Sequence, residues 1–393
     1  MGKITILTGN AAIAEAIRQI EPDVVAAYPI TPSTAVVQYV AQFVADGIIN
    51  SEFVCPESEH SAMSMCIGAS AAGARVVTAT ASQGLALMWE LLYIAAGLRL
   101  PIVTAVACRA LSAPINIHGD HSDTFGARDS GWIQLYSENP QEAYDNMIQA
   151  IKIAENPEVR TPVLVGFDGF VTSHSAENVI VEEDEEVKKF IGEYKPPVSI
   201  LDTKNPVTIG SIVFTDYYFE MKRNQIEGIE RSRKVIKEVG EEFGKKFGRR
   251  YDFFEKYLVE DAELIMVVMG SAAGTAKAVV DLLRSKGKKV GMIKLRVLRP
   301  FPYMELSEVL KDARAVGVMD RSTSPGGFGA PLFTEIRSAL YQLDNRPVVL
   351  NFIYGLGGRD VTMDNIEEAF HNLEESTKKG WKGELINYLN LRE

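Results

Sequence analysis

The sequence predicts an α/β protein built from two open, mainly parallel sheets covered by helices. Near-continuous apolar runs at 4–7, 24–27, 76–81, 102–107 and 163–167 are bounded by turn residues. Helical patterns near 11–20, 34–46, 59–72, 84–97 and 140–155 fill the gaps. Strands that are apolar throughout belong to parallel sheets buried on both faces. From Ala262 the same alternation starts again after a break in composition.

The bulk numbers narrow the function classes. With 393 residues, 46% of them hydrophobic, the chain can core two or three domains. A net charge of −11 argues against nonspecific binding to nucleic acid or an anionic membrane. No apolar run reaches membrane-spanning length, and the opening Met1-Gly2-Lys3-Ile4-Thr5 is too polar for a signal peptide, so a cytoplasmic protein is expected. Cys55, Cys66 and Cys108 are widely spaced, with no CxxC. They are expected to be buried free thiols, and neither a zinc site nor an iron–sulfur cluster can be built from this chain alone. Any electron carriers must sit on other chains.

Three segments follow from the pattern. Residues 1–180 form the first α/β unit. Residues 181–260 open with the acid run Glu182-Glu183-Asp184-Glu185-Glu186 and contain Pro196-Pro197 and Asn205-Pro206. They close with a charged stretch, Lys222 to Lys256, whose Ile226, Ile229, Val235, Val239, Phe243 and Phe247 suit an amphipathic helix that bridges domains or lies on the surface. Residues 261–393 form the second unit, with strands at 264–269, 289–295, 315–319 and 348–353. Its turn Gly270-Ser271-Ala272-Ala273-Gly274-Thr275 is not GxGxxG and lacks a following acid, so it reads as a tight turn rather than a nicotinamide site.

The chemistry concentrates at strand ends in the first unit. In Tyr28-Pro29-Ile30-Thr31-Pro32-Ser33 the prolines fix the backbone around Thr31. Glu59 opens a helix of alanine, serine and glycine, 59–73. A first-turn acid suits the helix dipole, and it also suits a flat ligand lying against small walls. Ser82-Gln83-Gly84 follows one strand and Arg109 another. A buried arginine with no adjacent acid invites an anion such as a carboxylate, or else a structural ion pair. His118-Gly119-Asp120-His121-Ser122-Asp123 is too crowded for a metal site and reads as a polar loop shaping the pocket or meeting a partner. The turns at Thr31, Ser82 and Arg109 and the Glu59 helix start should converge on one sheet edge.

Taken in order, the segments 28–33, Ser58-Glu59-His60, 78–84, Arg109-Ala110 and 119–123 resemble those of the pyruvate:ferredoxin oxidoreductase α-subunit family. Asp320-Arg321-Ser322, Pro325-Gly326-Gly327 and Tyr354-Gly355-Leu356-Gly357-Gly358-Arg359-Asp360 extend the likeness through the second unit. The resemblance implies a thiamine pyrimidine-binding domain followed by a transketolase C-terminal-like domain. It implies that Glu59 contacts N1′ of the thiamine pyrimidine and favours the imino tautomer, whose 4′ nitrogen then takes the C2 proton. Pro29, Ser82 and Gln83 would line the cofactor, and Thr31 and Arg109 would hold the 2-oxoacid. It further implies decarboxylation of a 2-oxoacid, electron transfer through 4Fe–4S clusters to ferredoxin, and acyl transfer to coenzyme A, reversibly. No Gly-Asp-Gly occurs; Phe167-Asp168-Gly169 is nearest. The diphosphate and its Mg²⁺ are therefore expected on a β subunit, with γ and ferredoxin-like δ subunits beside it. Arg109 as the lone pocket cation favours pyruvate. Branched-chain acids, 2-oxoglutarate, oxalate and a transketolase-like reaction are the alternatives.

Overall fold

The computed structural model describes residues 2–392. Its strands, in chain order, are β1 (Lys3–Thr8), β2 (Val24–Ala26), β3 (Glu52–Val54), β4 (Val76–Thr80), β5 (Ile102–Cys108), β6 (Ile133–Ser137), β7 (Val163–Asp168) and β8 (Ala176–Val181). They continue with β9 (Phe254–Tyr257), β10 (Leu264–Met269), β11 (Val290–Leu295), β12 (Val297–Arg299), β13 (Ala315–Asp320), β14 (Val348–Ile353) and β15 (Ile386–Tyr388).

A 7-stranded sheet runs β12-β6-β7-β5-β4-β2-β3 and a 6-stranded sheet runs β15-β14-β13-β10-β11-β9. Each is parallel except for one edge strand: β12 opposes β6, and β9 opposes β11. β4, β5 and β7 are buried along their whole length, as strands covered on both faces must be. In the first sheet β2 pairs with β3 on one side and β4 on the other. The strand order therefore reverses between β2 and β4. That reversal opens a crevice at their carboxyl ends, where α/β sheets bind ligands.

Three expectations are corrected. The run at 4–7 does not enter the main sheet; β1 pairs antiparallel with β8 in a separate ribbon. Its pattern explains this, since Ile4 and Ile6 lie exposed while Thr5 and Leu7 turn inward, so it is one-sided. The pattern at 84–97 forms two helices, Ser82–Leu87 and Trp89–Gly97. Finally, Ile226 is exposed rather than part of the buried stripe.

The charged stretch becomes a 30-residue helix, Tyr218–Phe247, that buries Val235, Ile236, Val239 and Phe243 against the first unit's core. From it, Arg233 donates to the Phe301 carbonyl and Lys237 pairs with Glu305 at 3.1 Å, so it ties the two units together. The chain crosses between sheets a second time. After β11, Arg296 enters the first unit and donates to Asn146 Oδ1 (2.7 Å) and Gln149 Oε1 (3.1 Å), and β12 then completes the first sheet. Burial pulls this guanidinium down to about 10. Beside it, Glu138, Glu142 and Glu255 converge as metal ligands would. The Lys294 ammonium sits among them at 2.5–2.8 Å, so the cluster is an ion-paired seam.

Candidate active site

The helix Glu59–Ala71 begins at Ser58, whose Oγ accepts from the Ser61 amide at 3.2 Å. That cap places Glu59 in the first turn, where the helix dipole favours an acid. Glu59 is only 7% exposed. No hydrogen bond or ion pair among the described residues engages its carboxylate. Gly84 lies directly against it: a Cβ there would stand 2.7 Å from Glu59 Oε1 and would also clash with Thr80 Oγ1. Thr80 Oγ1 is itself buried without a partner. The Glu59 oxygens are not sealed off as Thr80 Oγ1 is, so the carboxylate opens onto the pocket. Flanked by a glycine and a helix whose outer positions are His60, Ser61, Ser64, Met65 and Gly68, the carboxylate suits a flat heterocycle that offers a hydrogen-bond donor.

The neighbouring turns are fixed by one acid. Asp123 Oδ2 accepts from the Ser82 amide and the Arg109 amide, both at 2.9 Å, and Oδ1 accepts from Thr124 N at 2.7 Å. Burial lifts this carboxyl to about 7, and the three amide donors only partly offset that. Ser82 sits at φ +46°, a left-handed conformation that costs a non-glycine residue about 1–3 kcal/mol. Its Oγ donates to the Ala110 carbonyl at 2.6 Å, and Gln83 Nε2 reaches Ser112 Oγ at 2.9 Å.

Arg109, 6% exposed, is held by carbonyls alone: Nε donates to Asn116 O and Nη1 to Thr31 O, each at 2.9 Å. Burial lowers its pKa, and nearby Asp123 only partly compensates. Its Nη2 has no partner among the described residues. Thr31 therefore meets Arg109 through its backbone, while its side chain and Pro29 stay exposed at the mouth. All four expected elements meet at the end of the β2–β4–β5 edge. Asn116 lay outside every motif read from the sequence, and Asp123, Gly84 and Thr80 were named there only as members of longer segments. The motif 119–123 had marked Asp123 only as part of a polar loop.

That loop also reaches the second unit. His121 Nε2 meets Asp168 Oδ1 at 2.6 Å, and Arg321 Nη1 meets Asp168 Oδ2 at 2.9 Å. The Ser271 hydroxyl and amide donate to the same carboxylate. Burial would raise Asp168, but the charges of His121 and Arg321 outweigh it and hold the carboxyl far below the ordinary range. The nearest approach to a Gly-Asp-Gly segment is thus a domain lock. Gly270, at φ +73°, makes the tight turn expected of it. Of the cysteines, Cys66 and Cys108 are buried, and burial pushes Cys66 up to about 12; Cys55 is exposed, contrary to expectation, because β3 ends at the sheet edge. No helix among the described residues is long and apolar enough to cross a membrane.

Two family models match the chain. One, described as pyruvate flavodoxin/ferredoxin oxidoreductase, thiamine diP-bdg, covers residues 15–241. The other, pyruvate:ferredoxin oxidoreductase core domain II, covers residues 262–366. The pyruvate synthase subunit PorA of Thermotoga maritima is 53% identical over 387 residues, 98% of both chains. The chain belongs to the pyruvate:ferredoxin oxidoreductase α-subunit family. Within this family of oxidoreductase subunits, the ketoisovalerate oxidoreductase subunit VorA of Pyrococcus abyssi is more distant, 42% identical over 388 residues and 98% of both chains. Among solved structures, a 2-oxoglutarate:ferredoxin oxidoreductase from Magnetococcus marinus, with 2-oxoglutarate, coenzyme A and succinyl-CoA bound, shares the fold. Its TM-score is 0.74 at 21% identity, covering 96% of this chain and 66% of that one.

Proposed function

We propose that this chain is the pyrimidine-side half of a thiamine diphosphate site in a multisubunit, cytoplasmic pyruvate synthase. The reaction is pyruvate + CoA + 2 oxidised ferredoxin ⇌ acetyl-CoA + CO₂ + 2 reduced ferredoxin + H⁺. The observation that carries the reading is Glu59, a buried residue whose carboxylate opens onto the pocket with no partner among the described residues, backed by Gly84 at the sheet's switch point. When bound, thiamine would supply a carbon nucleophile and an electron sink for decarboxylation. Glu59 holds a proton at the pyrimidine N1′, which sets the tautomer. Gln83 and Pro29 would line the ring, while Ser82, fully buried and bonded to the Ala110 carbonyl and Asp123, would support them from behind. Arg109 Nη2 and the Thr31 turn take the substrate carboxylate and keto oxygen.

The diphosphate, its Mg²⁺ and the 4Fe–4S clusters belong to β, γ and δ partners in this reading. Three cysteines cannot hold a four-thiolate cluster, and this chain has no Gly-Asp-Gly segment. Pyruvate is favoured over larger or dianionic acids by the higher identity to the pyruvate synthase subunit and by Arg109, a cation at the mouth with no ion-pair partner among the described residues. The test is Glu59→Gln in the complex purified with its partners. Assembly should persist while acceptor reduction falls by about 10²–10⁴. Full activity would remove the assignment.

A further inference from the structure

Arg109 depends on a residue that also touches the second unit. Asn116 lies in the otherwise exposed stretch 112–118. Its carbonyl accepts from Arg109 Nε at 2.9 Å, while its side-chain Nδ2 donates to the Gly357 carbonyl at 3.0 Å. Its Oδ1 accepts from the His118 amide at 2.7 Å. Gly357 stands at φ +60° between Gly355 at +64° and Gly358 at +80°, a run of left-handed backbone that glycine adopts freely. A Cβ at Gly357 would collide with Asn116 Nδ2, and one at Gly358 with His118. Asp120, four residues along, accepts from the Gly357 amide at 3.2 Å. The glycine turn after β14 is therefore moulded to the loop beside Arg109. Nothing else on that loop between Ser112 and Ile117 fixes the side of the guanidinium facing away from Thr31.

We propose that Asn116 is a positioning residue for Arg109, through which the Gly355–Gly358 turn of the second unit sets the direction of the substrate-binding guanidinium. This rests on Arg109 binding the 2-oxoacid carboxylate. Arg109 keeps one edge against the Thr31 carbonyl and the other against Asn116, so its remaining donors point one way only while Asn116 is tethered. Loss of the tether weakens carboxylate binding without touching the proton chemistry at Glu59.

The experiment uses the assembled complex with Asn116→Ala, Gly357→Ala, Arg109→Lys and the double variant Arg109→Lys/Asn116→Ala. Its readouts are KM and kcat for pyruvate and calorimetric binding of oxamate, an unreactive carboxylate analogue. Asn116→Ala should raise KM and the oxamate Kd together by about 2- to 10-fold, the size of one neutral hydrogen bond, with kcat little changed. In the double variant the Asn116 effect should vanish, because residues acting as one unit are not additive. Additive effects, or wild-type KM and Kd in Asn116→Ala beside weakened Arg109→Lys, would overturn the proposal alone. Unchanged binding in Arg109→Lys would remove the carboxylate reading and the proposal with it. Should Gly357→Ala fail to assemble, Asn116→Ala decides the matter.

Discussion

Two arginines in this chain occupy the same topological position and have opposite fates. Arg109 directly follows β5 and Arg321 directly follows β13, each a buried parallel strand. Arg321 meets the Asp168 carboxylate at 2.9 Å and donates Nε to the Gly355 carbonyl; burial alone would lower its pKa, but Asp168 raises it. Arg109 meets only carbonyls, and burial lowers its pKa. The strand end supplies a buried cation in both cases. A facing acid decides whether that cation closes a seam or stays available to a ligand. Near Arg109, Asp123 is committed to backbone amides, and Glu59 elsewhere in the site has no hydrogen-bond or ion-pair partner among the described residues.

The strongest way to break this comparison is to exchange cost in rate for cost in stability. Glu59→Gln should lower acceptor reduction by about 10²–10⁴, yet leave the urea midpoint of the assembled protein unchanged, since no hydrogen bond or ion pair among the described residues is lost with the carboxylate. Arg321→Met should do the reverse. It strands Asp168 with one partner fewer, and breaking a buried pair costs about 3–5 kcal/mol, read as a fall in the urea midpoint. A destabilised Glu59→Gln or an unperturbed Arg321→Met would erase the distinction between site and seam.

Arg109→Lys tests the available cation more gently. Charge is kept and the planar fork is lost, so KM for pyruvate should rise about 10-fold while stability holds. A drop in stability with unchanged KM would place Arg109 in the seam class with Arg321.

The parallel strands and the convergence at one edge were legible because turn chemistry and uninterrupted apolar runs are local signals. Thr31, Ser82 and Arg109 each end a run that can be seen without knowing its neighbours. What stayed hidden is non-local. Asp123 is written as one more polar residue in a polar loop, and only the fold brings it against the amides of Ser82 and Arg109, 41 and 14 residues away. β12 could not be read at all: its three residues lie in the second unit's sequence yet hydrogen-bond to β6. Likewise 320–322 and 354–360 carried only the family likeness. The fold sets Arg321 on Asp168 and Gly357 against Asn116 and Asp120 of the first unit, while Asp320 accepts from the Leu332 and Phe333 amides within its own unit.

A further predicted effect separates the two regions by pH. Burial lifts Asp123 to about 7 from its ordinary 3.8. Between those values the folded chain keeps a proton that the unfolded chain has released, so stability falls as pH rises through the window and the loss is complete above 7. Asp168 has the opposite sign. Its folded carboxyl lies below the ordinary range, so its contribution is complete above pH 4 and is lost only as the pH falls further. Urea unfolding at pH 5, 6, 7 and 8 should therefore show wild type losing stability relative to Asp123→Asn by up to about 1.4 kcal/mol per pH unit below 7, then running level. A constant offset between wild type and Asp123→Asn across this range would mean that this carboxyl is already ionised at pH 5. The Ser82 and Arg109 turns would then rest on a charged clamp, as the seam does.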